Sequence, residues 1–126
     1  MAKRKLLISI VDDDESVREA AKGLMKSLGY AAETFPSAED FLQSQQAPRT
    51  ACLIADVNMP GMSGLDLHRH LSTSGKRIPT ILITAYPDNG VRDRALNAGI
   101  ICYLSKPFDE GDLLSCIHSA LPSDRP

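Results

Sequence analysis

The chain has 126 residues, enough for one domain with a single core, and its 43% hydrophobic and 24% charged residues are those of an ordinary globular protein. A net charge of −2 leaves no electrostatic footprint for nucleic acid or an anionic membrane as main partner. No run approaches the roughly 18 consecutive apolar residues of a membrane-spanning helix. Residues 6–11 are apolar but too few for a secretory leader, and Asp12, Asp13 and Asp14 follow where small cleavage-site residues are needed. Cys52, Cys102 and Cys116 are odd in number, widely spaced and without a Cys-x-x-Cys pair. That pattern predicts reduced thiols in a cytosolic protein, with no metal role.

In chain order, residues 6–11 read as a strand buried on both faces. A helix follows, with Val17, Ala20, Ala21, Leu24, Met25 and Leu28 at three- and four-residue steps, and Gly29 stops it. Residues 31–35 form a short, weak second strand. Ser37 then opens a helix that buries Phe41 and Leu42. A third buried strand spans 51–55 and ends abruptly at Asp56, followed by a loop holding Pro60, Gly61 and Gly64. A helix over about 65–74 buries Leu67 and Leu71. Pro79 opens a fourth strand at 80–84, a helix near 91–98 ends at Gly99, and 101–104 is the fifth strand. The last helix, about 110–121, buries Leu113, Leu114, Ile117 and Leu121.

Five strands alternating with five helices predict an α/β fold with a parallel sheet covered on both faces, a doubly wound domain with right-handed crossovers. The core is expected over about 5–121, within a single domain of 1–126, with 122–126 as a tail or linker stub. Ligands of such sheets bind beyond the carboxyl ends of the strands. Polar residues stand at those ends: Asp12, Asp13 and Asp14 after the first strand, Asp56 after the third, Thr84 closing the fourth, Lys106-Pro107 after the fifth.

Convergence of these groups has chemical consequences. Two unit charges about 4 Å apart interact by roughly 4 kcal/mol at an effective dielectric of about 20, so crowded carboxylates raise a pKa or recruit a cation. Mg²⁺ suits such a site, taking one or two carboxylates, waters and a phosphate oxygen. Lys106 adds positive charge without a metal ligand. Around one free carboxylate, metal, lysine and a threonine hydroxyl make a site for a transferring phosphoryl group, with the carboxylate as nucleophile. Each residue also has a plainer reading. Asp13 or Asp14 can cap a helix, Asp56 can be a turn residue, Thr84 a β-branched strand residue, Lys106 a surface charge and Tyr103 half-buried packing. Their joint occurrence at four strand ends outweighs these.

The residues resemble the receiver domain of two-component response regulators, the CheY-like fold. The resemblance covers about 5–121 and rests on Val11-Asp12-Asp13-Asp14, on Asp56-Val57-Asn58-Met59-Pro60-Gly61-Met62-Ser63-Gly64, on Thr84-Ala85 and on Lys106-Pro107-Phe108. Ser37-Ala38-Glu39-Asp40-Phe41-Leu42 also resembles the FixJ-like branch of transcriptional regulators. The resemblance implies strand order 2-1-3-4-5 and Asp56 as phosphoacceptor. It implies Mg²⁺ bound directly by Asp13, Asp56 and the Asn58 backbone carbonyl, with Asp12 acting mainly through water. Lys106 would contact the phosphoryl oxygens, its bond to Pro107 would be cis, and Thr84 and Tyr103 would switch with the face of helix four, strand five and helix five. A sensor histidine kinase would be the partner, in the cytoplasm, with a homodimer on phosphorylation. The chain would catalyse only its own phosphorylation and dephosphorylation and would not itself bind nucleic acid. One departure is Tyr86-Pro87, bulky and stiff where the family often has small residues. Another is that no helix-turn-helix segment follows Leu121.

Three rival readings compete with the receiver. Asp12-x-Asp14-x-Ser16 fits the pattern of a haloacid-dehalogenase-like phosphatase, with Asp12 as nucleophile and Asp14 as general acid, but the chain is short for one. A nucleotide- or flavin-binding module lacks its glycine-rich loop. A degenerate receiver does not explain the intact acidic set.

Overall fold

The computed structural model describes residues 5–121; the expected tail at 122–126 lies outside them. Five strands, β1 (Leu7–Val11), β2 (Ala31–Phe35), β3 (Thr50–Asp56), β4 (Thr80–Thr84) and β5 (Cys102–Ser105), pair in parallel in the order β2-β1-β3-β4-β5. Four helices connect them, α1 (Glu15–Ser27), α2 (Ala38–Gln43), α3 (Gly64–Thr73) and α4 (Asn89–Asn97), and α5 (Glu110–Ala120) follows β5. This is the expected doubly wound architecture. No helix among the described residues is long and apolar enough to cross a membrane.

The period of two along each strand sends alternate side chains to opposite faces. From β3, Leu53 and Ala55 join Phe41, Leu67, Leu82 and Ala95 in one core, under α2, α3 and α4. Cys52 and Ile54 join Ile8, Ile10, Met25, Ile83, Leu113 and Ile117 in the other, under α1 and α5. Phe41 is wholly buried and meets Phe35 edge-on at 5.3 Å; burying such a side chain contributes about 2–3 kcal/mol. Ser9, the one polar residue of β1, is buried and satisfied by the Thr50 hydroxyl at 2.7 Å.

Several boundaries move for identifiable reasons. The Asp88 carboxylate accepts from the Val91 amide at 3.0 Å, so α4 begins at Asn89, before the first apolar residue of its pattern. Ser63 caps α3 in the same way and starts it at Gly64. A 3-10 turn at Ala47–Arg49 leads into β3, which runs longer than its apolar stretch. On α1 the buried stripe is narrower than its spacing predicts. Ala21 and Met25 are buried, whereas Ala20 is exposed and Leu28 lies at the cap beyond the last turn, 38% exposed.

The cysteines require a correction. Cys52 is a free, buried thiol, its pKa pushed up to about 12 by burial. Cys102 and Cys116 are instead joined in a disulfide, with Cα atoms 6.0 Å apart. Spacing along the chain does not reveal this pairing. It arises because α5 folds back over the sheet face toward which Cys102 projects.

Candidate functional site

Because the strands are parallel and in register, their carboxyl ends lie at one edge: Val11 beside Ala55, Asp56 beside Ile83, Thr84 beside Ser105. The chain then leaves each strand through a turn that aims a polar side chain. The Asp12 amide still donates to Phe35 O at 3.1 Å, while its Oδ1 accepts from the Asp14 amide at 2.8 Å. Asp14 turns outward and caps α1, accepting from the Ser16 amide at 2.9 Å and hydroxyl at 2.7 Å, and these bonds lower its pKa. Asp13, between them, is exposed.

At the end of β3, Asp56 is 3% exposed and its Oδ1 accepts from the Asn58 amide at 3.0 Å. The loop beyond closes tightly. Gly61 takes a φ of 77°, and the Met62 amide donates to Glu39 Oε2 at 3.3 Å. The start of α3 then packs onto the Asp56 backbone, where a Cβ added to Gly64 would lie 2.5 Å from Asp56 O and 2.9 Å from Leu82 Cδ2. Gly64→Ala is therefore expected to cost about 1–3 kcal/mol through overpacking. Urea unfolding measures it, and an unchanged midpoint would show that the backbone yields freely.

Lys106 closes the site. Its amide donates to Thr84 O at 2.7 Å, and its bond to Pro107 is cis. Its Nζ stands 2.9 Å from Asp12 Oδ2 and donates to Asp56 Oδ2 at 3.2 Å. The Asp12 contact is an ion pair whose angle falls short of a hydrogen bond, and Asp12 Oδ2 is buried with no hydrogen-bond donor of its own. Thr84, fully buried, donates its hydroxyl to Asn58 Oδ1 at 2.5 Å and accepts from the Tyr86 amide at 3.0 Å. Tyr103 stands apart from the acidic groups, with its hydroxyl accepting from the Asp88 amide at 3.1 Å.

The charges do not balance. Burial raises the Asp56 pKa, and repulsion from Asp12 adds to this beyond what the Asn58 amide and Lys106 offset. Burial works against the Lys106 charge, but attraction from Asp12 and from Asp56 prevails and raises its pKa. One oxygen from each of Asp12, Asp13 and Asp56 lies within 4.8 Å of the others. Three carboxylates against one ammonium leave a surplus of two negative charges. The buried, donorless Asp12 Oδ2 and this all-oxygen set fit a hard divalent cation. Asp13, Asp56, Asn58 and Lys106 line the open groove above, whose rim carries Tyr86 at 75% exposure.

Residues 8–118 match the model of the response regulator receiver domain. The chain belongs to the response regulator receiver family. It is 42% identical over 121 residues to the response regulator protein TodT of Pseudomonas putida, covering 96% of this chain and 53% of that protein. To the transcriptional regulatory protein FixJ of Azorhizobium caulinodans it is 33% identical over 116 residues, 92% of this chain and 55% of FixJ. The chain thus spans about half the length of these curated relatives. Among solved structures, the response regulator StyR superposes with a TM-score of 0.85 at 42% identity, over 93% of this receiver and 59% of that chain. The crystal structure of FixJ-N superposes with a TM-score of 0.81 at 33% identity, over 94% of each chain.

The protein is a phosphorelay receiver, a regulatory switch domain. The phosphatase alternative finds no support: Asp14, the general acid it needs, is exposed and committed to capping α1. Two contacts of the receiver escaped sequence reading. Arg18 Nη1 donates to Asp12 O at 2.7 Å, and the Asn58 side chain holds Thr84. The Asn58 pairing spans 26 residues and leaves no periodic signal in the sequence.

Proposed function

We propose that Asp56 is the phosphoacceptor of this receiver, in a reaction that depends on Mg²⁺, which Asp13, Asp56 and the Asn58 backbone carbonyl would hold directly and Asp12 mainly through water. The observation that carries the reading is the Lys106 ammonium set between the Oδ2 atoms of Asp12 and Asp56, beside an acidic surplus. The phosphoryl donor is a sensor histidine kinase. An Asp56 carboxylate oxygen attacks phosphorus, the P–N bond to the donor imidazole breaks, and the leaving nitrogen takes up a proton. The cation, when bound, supplies positive charge for the phosphoryl oxygens. Lys106 does the same from the protein side. The chain catalyses only the gain and loss of its own phosphoryl group.

Phosphorylation adds nearly two negative charges and strong acceptors at Asp56. Thr84 lies next to this site but its hydroxyl is spent on Asn58. Turning it to the phosphoryl group releases that bond and draws in the loop whose Asp88 amide rests on Tyr103. The response then spreads over the face of α4, β5 and α5, where a homodimer forms. The output is transcriptional, in the cytoplasm, through parts of the regulator other than this domain, which does not itself bind nucleic acid.

Incubation with acetyl phosphate and Mg²⁺, followed by peptide mapping, tests the reading: one phosphoryl group per chain is expected, on Asp56. Label on Asp12, or label indifferent to chelator, would sink it. Asn58→Ala probes the latch. Loss of one hydrogen bond, worth about 1 kcal/mol, should shift the Thr84 orientations about fivefold in the unphosphorylated protein. Thr84 methyl resonances would report this, and an unmoved Thr84 signal would argue against restraint by Asn58.

A further inference from the structure

Two thiols unused by this chemistry meet at the edge of the sheet. Cys102 opens β5, partly exposed, and projects toward α5. Cys116 lies within α5, 6% exposed. They are 14 residues apart, and the segment their disulfide closes contains Tyr103, Lys106 and Pro107. Leu104, Leu113 and Ile117 already pack α5 against the sheet. A domain of this size has a core sufficient to fold without a covalent staple. In the glutathione-buffered cytosol, disulfides that do occur are usually transient and redox-sensing.

We propose that Cys102 and Cys116 form a reversible dithiol–disulfide switch, closed by exchange with a small disulfide of the glutathione class, that ties α5 to β5 and restrains the segment carrying Tyr103 and Lys106. Cys102, the more accessible, attacks as thiolate one sulfur of glutathione disulfide; the S–S bond breaks and one glutathione leaves, taking up a proton. Cys116, as thiolate, then attacks the Cys102 sulfur of the mixed disulfide and releases the second glutathione. Two protein thiols and one glutathione disulfide become one protein disulfide and two glutathione thiols, with no other oxidant. Cys52 stays outside the exchange, buried in β3 with almost no thiolate at neutral pH. Closure of the bond does not require Asp56 to be the acceptor; only its bearing on the response rests on that reading.

Equilibration of the chain in graded mixtures of reduced and oxidised glutathione tests this, with denaturing alkylation and mass spectrometry as readout. Three alkylated cysteines are expected in excess reduced glutathione and one, Cys52, in excess oxidised glutathione, with a single two-electron transition between them. Cys116→Ser should stop at one glutathionyl group on Cys102. Three alkylatable thiols at every ratio would overturn the proposal, as would a disulfide that persists in excess reduced glutathione. Hydrogen exchange of unphosphorylated protein tests the restraint: amides of 102–116 should exchange about tenfold more slowly when oxidised. Equal exchange in the two redox states would refute it whatever happens at Asp56.

Discussion

Asp56→Asn is expected to abolish labelling by acetyl phosphate and, in metal-free buffer at neutral pH, to leave a domain more stable than the parent. The first effect follows from the nucleophile, since an amide oxygen does not form a stable acyl phosphate under these conditions. The second follows from the sign of the pKa shift. Burial, with repulsion from Asp12, raises the Asp56 pKa above its ordinary 3.8 in the folded chain. A group raised in this way contributes stability that is full below the unfolded value and is lost as pH rises through the folded value. At neutral pH the ionised carboxylate is therefore a burden on the fold, and asparagine removes it. Asn Oδ1 can still accept from the Asn58 amide, as the carboxylate does at 3.0 Å. Thermal melts in chelator at pH 7 and near pH 3 measure the gap, which should shrink at the lower pH and on adding Mg²⁺ to the parent. Persistent labelling would remove Asp56 as sole acceptor, and a lower melting point in chelator would remove the electrostatic account.

Lys106→Met keeps the length of the side chain and deletes its charge, with the opposite effect on stability. The Lys106 side chain is 16% exposed, and those of Asp12 and Asp56 are 0% and 4% exposed, so water screens little of the attraction. Removing one member of a buried ion pair leaves an uncompensated charge, here shared by two carboxylates, at a cost of about 3 kcal/mol. Urea unfolding in chelator should show this loss. Millimolar Mg²⁺ should restore part of it, because a divalent cation answers the same surplus. Removal of a preorganised charge at a reacting centre slows chemistry by about a hundredfold, so phosphoryl uptake from acetyl phosphate should fall to that degree. Lys106→Arg separates charge from geometry: it should regain most of the stability and less of the rate. A methionine variant as stable as the parent without metal would show that the ammonium is not needed to hold the carboxylates together.

Much of the site was legible because the order of chemical types repeats the order of strands. Apolar runs ending in Asp12, Asp56, Thr84 and Lys106 are local signals, and a parallel sheet carries every strand end to the same edge. The caps Ser37 and Gly29 were legible for the same reason, each acting within one helical turn of its residue. Asp88 was missed as a cap because no apolar periodicity follows it closely; Asn89 and Gly90 intervene.

The sequence by itself determined which chemical groups this receiver owns and, through strand and helix periods, which edge of the sheet they occupy. Those are consequences of backbone geometry acting over a few residues. Only the tertiary structure decided the pairings between distant segments: Lys106 with both Asp12 and Asp56, Asn58 with Thr84, Cys102 with Cys116. Such pairs depend on how far one element turns and slides over another, to within about an ångström. No one-dimensional pattern records that distance, because close packing of the two cores sets it.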